Sequence, residues 1–136
     1  MPEQPDEPGS LPVGRARVEI ARVYDRPPVG GARRVLVDRL WPRGVSRQDA
    51  PFDDWLKEVA PSPGLRAWYA HVPERFEEFA RRYRQELERS PAREALAKLS
   101  AEAGARGVVL VTATKAVHLS AAAVLEDVLL RPGWPA

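Results

Sequence analysis

Val108-Val109-Leu110-Val111-Thr112 is the segment that most restricts what this chain can fold into. A near-continuous apolar run preceded by Gly107 suits a strand covered on both faces, as in a parallel sheet. Two earlier segments also read as strands. Val18, Ile20 and the Val23-Tyr24 pair suggest the first, closed by Asp25-Arg26-Pro27-Pro28 and Gly30-Gly31. Arg34-Val35-Leu36-Val37-Asp38 gives the second.

The long interval between the second and third strands reads as helices. Ser46 with Asp49 three positions on resembles a capping box, opening a short helix toward Trp55, Leu56 and Val59. Ser62 before Pro63 marks another start, with Leu65, Trp68 and Tyr69 as its apolar face. Residues 73 to 89 form the clearest helix. Phe76, Phe79, Ala80, Tyr83 and Leu87 recur at helical spacing, while Glu77–Arg81 and Glu78–Arg82 pair on the wet side. Ser90 and Pro91 cap a further helix through Leu96 and Leu99, stopped by Gly104, and a last one runs from about His118 to Leu130. Strands joined through helices predict a small three-layer α/β/α domain with a short, mainly parallel sheet.

At 136 residues the chain suits one domain. Residues 1–15 carry four prolines with acidic residues between them and read as a flexible tail, leaving 16–136 as the single α/β domain. The absence of Cys excludes disulfides, a thiol nucleophile and thiolate metal sites. No signal peptide and no apolar stretch approaching the roughly 20 residues of a membrane span is visible. A cytoplasmic protein without a membrane partner is the expectation. A net charge of +2 is too small to imply nucleic acid, and abundant Arg with abundant Ala also fits a GC-rich genome.

In open α/β sheets, ligands sit beyond the carboxyl ends of the strands. The second strand runs into Asp38-Arg39-Leu40-Trp41-Pro42-Arg43-Gly44, and the third into Thr112-Ala113-Thr114-Lys115 and a helix start. Arg39, Arg43 and Lys115 can therefore converge with Thr112 and Thr114 on a carboxylate or phosphate, which the Arg fork binds through two parallel hydrogen bonds. Trp41 would supply an apolar wall. His71, in the turn before Pro73, is a candidate general base, with Asp38 setting its tautomer. A structural use of the same residues is the alternative: Asp38 pairs with a nearby Arg to tie the strand end down, Trp41 fills core and Arg43 is solvated.

Other chemistries find little footing. "TATK" is not a phosphate-binding Walker loop, and neither a GxSxG elbow nor a GxGxxG loop is present. His71, His118 and Asp38 match no zinc spacing, so no metal site and no cofactor is assigned. The adjacent carboxylates Asp53-Asp54 and Glu77-Glu78 would point about 100° apart on a helix and read as solvated faces.

The block "RVLVDRLWPRGVSRQDAPFDDWLKEVAPSPGLRAWYAHVPERFEEFARRYRQEL", with "ARVYDRPP" before it, resembles the bacterial family called domain of unknown function 488, in its short YeaO-like branch. "VDRLWPRG" is the most specific string, and "APS", "LR.W..H" and "F...Y..EL" follow at the family's spacing. The resemblance implies a compact α/β/α domain in an intracellular bacterial protein, and supplies no reaction, cofactor or partner. Matching positions include Asp38, Arg39, Trp41, Arg43, Arg66 and His71, which brings Arg66 into the site. The chain departs from the family's "A-K-D-x-x-H-N" ending. There it reads "ATKAVHLSAAAVL", with Ala116, Leu119 and Ser120 at the usual Asp, His and Asn. A site needing that Asp and His would be impaired, unless His118 substitutes.

Three functions stay open on these grounds. The leading one is binding of a small anionic ligand, with or without turnover, at an edge formed by Asp38, Arg39, Trp41, Arg43, Arg66, His71, Thr114 and Lys115. In an enzymatic version His71 moves protons, Asp38 orients it and the Arg residues stabilise negative charge. The second is a nucleic-acid-binding accessory domain, disfavoured by the Glu residues interspersed along the 73–89 helix. The third is a degenerate, non-catalytic interaction module, which predicts no pocket and a sizeable exposed apolar patch.

Overall fold

The computed structural model describes residues 16–131, so the Pro-rich stretch 1–15 lies outside the described residues. Four strands, β1 (Val18–Arg22), β2 (Arg33–Leu36), β3 (Asp54–Trp55) and β4 (Val108–Thr112), form one sheet in the order β1-β4-β2-β3. All three pairings are parallel. The most apolar segment of the chain thus lies inside the sheet, hydrogen-bonded on both edges. Its register sets Leu110 between Ile20 and Val35.

Strand alternation divides the apolar side chains between two faces. On one face Val18, Ile20, Val35, Val108 and Leu110 meet the main core. That core is supplied by α1 (Pro63–Tyr69), α2 (Phe76–Glu86), α3 (Ala92–Ala105) and α4 (Ala121–Leu130). On the other face Leu36, Val109 and Val111 pack against Val23, Val45, Phe52 and Trp55. The chain is a small α/β domain with a parallel sheet, and all four α-helices feed the same core. The opposite layer is made of loop and single-turn 3-10 segments.

Several local expectations need correction. Ser46 caps only a 3-10 turn, Arg47–Asp49, accepting the Gln48 N–H. Pro51 denies Ala50 the helical region, and Ala50 is extended. The chain then joins the sheet as β3, where Asp53 N–H donates to the Arg34 carbonyl at 2.8 Å. Pro73–Arg75 forms a 3-10 turn ahead of α2, and Glu78 accepts from both Arg81 and Arg82, displacing the expected Glu77–Arg81 pair. The Ser90 hydroxyl donates to Glu94 instead of capping α3.

Gly104 does not stop α3, which continues to Ala105. The reversal falls at Gly107, whose φ of +90° is easy for glycine, and where an added Cβ would lie 3.4 Å from the Cβ of Arg17. The last helix begins at Ala121, after a 3-10 turn at Val117–Leu119, with Ser120 accepting the Ala123 N–H. Ser62 behaves as its sequence implies: it caps α1 through the Leu65 N–H, with Pro63 in the first turn.

Leu110 is completely buried at the centre of this arrangement. Leu110→Ala is expected to destabilise the fold by about 3 kcal/mol, from lost transfer energy plus an unfilled cavity. Chemical denaturation at equilibrium measures it. A loss below about 1 kcal/mol would contradict the central placement of β4.

Candidate functional site

The carboxyl ends of β2 and β4 open onto a cleft of about 650 Å³. Eight of the residues singled out in the sequence line it: Asp38, Arg39, Trp41, Arg43, Arg66, His71, Thr114 and Lys115; Thr112, expected beside them, is buried behind Asp38 and does not. The two loops that follow adjacent parallel strands form one wall each. Residues around α1 and the Val117–Leu119 turn close the remaining sides.

Asp38 joins the two loops. Its Oδ1 accepts the Thr112 hydroxyl and its Oδ2 accepts the Ala113 N–H, both at 2.8 Å. Thr112 Oγ1 in turn accepts the Thr114 N–H at 3.1 Å. The Asp38 carbonyl accepts the Trp55 indole N–H at 2.7 Å, extending the tie to β3. Burial pushes the Asp38 carboxyl above its ordinary value, while the Ala113 and Thr112 hydrogen bonds and the Arg66 charge pull it down. Both carboxylate oxygens are engaged by the β4 end, so the expected partner of His71 acts first as a strand clasp. Part of the structural alternative is therefore realised, with Thr112 and Ala113 in place of an Arg.

Arg39 is also tied into the wall. Its Nε donates to the Pro61 carbonyl at 3.2 Å and Nη2 to that of Ala60 at 3.1 Å. Trp41 presents part of its surface to the cleft, and its indole N–H donates to the Val45 carbonyl at 2.7 Å. Its ring packs edge-on against Phe52 and Trp55, with the Arg47 guanidinium 4.1 Å from the ring centroid. Trp41 is thus both wall and core.

The remaining cations differ. Arg43, Arg66 and Lys115 are exposed. Among the described residues their side chains have no hydrogen-bond or ion-pair partner. His71 is exposed at the same rim, with a left-handed φ of 58° next to Ala70 at 47°. Ala70 ends α1 in that conformation, its N–H donating to the Arg66 carbonyl.

Sequence reasoning missed Tyr24 and Tyr69. The Tyr24 hydroxyl donates to the Arg43 carbonyl at 2.9 Å, anchoring the loop after β2 to the end of β1. The Tyr69 hydroxyl donates to the Leu119 carbonyl at 2.6 Å, joining α1 to the turn before α4. "VYD" at the end of the first strand pointed to the carboxyl edge by the same rule used for Asp38. Tyr69 had no such signal, since its spacing is that of a core residue. Ala116, Leu119 and Ser120 line the cleft, whereas His118 is exposed and lies outside its lining. His118 does not take over the family's His position in this geometry.

Removing the clasp strands two donors near the buried Thr112. Asp38→Ala is expected to cost about 2–4 kcal/mol in chemical denaturation, and Asp38→Asn less, because an amide still offers one acceptor to Ala113. The pH dependence has a definite sign. A carboxyl raised in the fold contributes most below its ordinary value of 3.8, and that contribution is lost as pH rises through the folded value. The Asn variant should therefore gain stability relative to the parent as pH climbs out of the acid range. An unchanged difference across that range would contradict the burial of this charge.

No solved structure matches the chain. Two mycobacterial proteins, both carrying the name uncharacterized protein, are similar over nearly their whole length: Rv3073c of Mycobacterium tuberculosis and Mb3100c of Mycobacterium bovis. Each is 49% identical over 117 residues, which cover 86% of this chain and 97% of the relative. The uncharacterized protein YeaO of Escherichia coli is 41% identical over 71 residues, 52% of this chain and 61% of its own. The family model described as "Inactive DUF488-N3 subclade" matches residues 17–132. On that match, and on its near-full-length mycobacterial relatives, the chain belongs to the DUF488 family.

Proposed function

We propose that this protein binds a small anionic ligand in the cleft between the β2 and β4 loops. One observation carries the reading. Arg43, Arg66 and Lys115 present positive charge around one opening with no ion-pair partner among the described residues, while the carboxylate in its lining, Asp38, is turned to internal donors. Unpaired Arg at the rim of a partly apolar cleft is suited to a carboxylate or phosphate.

Binding without turnover fits the residues better than catalysis. The family model's own description is an inactive subclade. The family's Asp and His positions are Ala116 and Leu119 here, and both face the cleft, where they can neither move a proton nor hold a metal. His71 is the remaining proton carrier at the rim, and Asp38 is not bonded to it. A catalytic role for His71 would have to operate without an orienting carboxylate.

Nucleic acid is disfavoured because Arg81 and Arg82 on α2 share Glu78 and are interspersed with Glu77 and Glu86, which breaks any basic stripe along that helix. A degenerate interaction module would have no need of an open cationic cleft.

Differential scanning of the full chain with inorganic phosphate, at a tenfold excess over its dissociation constant, should raise Tm by several degrees. Such an excess stabilises by about 1.4 kcal/mol. The Arg43→Ala, Arg66→Ala double variant should retain its fold and lose most of that shift. No shift with phosphate or with acetate, where a control anion-binding protein responds, would refute the reading.

A further inference from the structure

The cleft is too large and too apolar to be built for a bare oxyanion. Its lining separates by exposure into a floor and a rim. Val37, Ala60, Tyr69 and Phe79 are buried, and half-buried Leu119 stands beside them. Arg43, Arg66, His71 and Lys115 are exposed. Tyr69 and Phe79 are stacked with ring centroids 4.2 Å apart, so this floor is held in place by aromatic packing beneath it. The Tyr69–Leu119 hydrogen bond holds its far wall in place.

Size agrees with that division. Organic ligands occupy clefts of about 300–1,000 Å³, whereas a bare oxyanion displaces only a few waters of roughly 30 Å³ each. The 650 Å³ here lies within the first range. The two positions where the family's motif has Asp and His add further apolar surface, as Ala116 and Leu119. We infer that the ligand is an amphiphilic organic anion: one phosphate or carboxylate group at Arg43, Arg66 and Lys115, joined to an apolar, ring-sized body lying against Tyr69, Phe79 and Leu119. This inference rests on the anion-binding reading and specifies its ligand class.

Titration calorimetry on the full chain with inorganic phosphate, phenyl phosphate and phenol separates the two readings. Phenyl phosphate is expected to bind at least tenfold more tightly than phosphate, with phenol the weakest of the three. Leu119→Ser should reduce the preference for phenyl phosphate over phosphate, whereas Arg66→Ala should weaken both anions together. Equal affinity for phosphate and phenyl phosphate would overturn this inference and leave anion binding intact. Binding of phenol as tight as that of phenyl phosphate, or no binding of either anion, would overturn both.

Discussion

The Asp38 carboxylate is the interaction on which the geometry of the cleft depends. β2 and β4 are hydrogen-bonded through their ladder, and Val37 extends it by donating to the Val111 carbonyl. Beyond that point the two chains would be free to diverge. Asp38 instead accepts from Thr112 and Ala113, and its carbonyl accepts from Trp55, so three strands are fastened where the regular pairing ends. A neutral side chain could make similar contacts without the desolvation penalty. A carboxylate makes stronger hydrogen bonds and also leaves negative charge near Arg66. The clasp is costly in burial and rigid in return.

That rigidity matters because the two sides of the sheet are unequally supported. One face rests on four helices and the larger core. The other is covered by a loop layer centred on Trp41, Phe52 and Trp55. A loop layer has few internal backbone hydrogen bonds, so it depends on side-chain anchors. Two indole N–H donors, on Trp41 and Trp55, bond to carbonyls of the same layer, and Arg47 lies over the ring of Trp41. The loop that carries Arg43 is therefore a braced structure. Its far end is held by Tyr24.

Much of this was legible in the sequence where the physics is local. The apolar run at 108–112 identified an internal parallel strand because side chains pointing both ways along it all need apolar cover. The Ser62-Pro63 start worked because capping is decided within one turn. The position of the cleft was legible for a topological reason: loops leaving neighbouring parallel strands must emerge at the same edge. What stayed hidden depends on distant partners. β3 is two residues long, too short for any period, and exists because Asp53 and Leu56 donate to carbonyls of Arg34 and Leu36. Asp38 was correctly placed, but no local rule could say that Thr112 and Ala113, not His71, would take its oxygens.

The altered ending of the chain then acquires a physical meaning. Ala116 and Leu119, at the positions where the family resemblance puts Asp and His, line the cleft as apolar surface. The cleft is open to solvent, so its apolar lining carries a hydration cost that only an occupant removes. Arg43, Arg66 and Lys115 stand around it without ion-pair partners among the described residues. Asp38 and Arg39 meanwhile use their hydrogen bonds to fasten the walls in place. A solvent-open cleft with a buried apolar floor and a rim of exposed cations is the combination that the proposed binding of an organic anion requires.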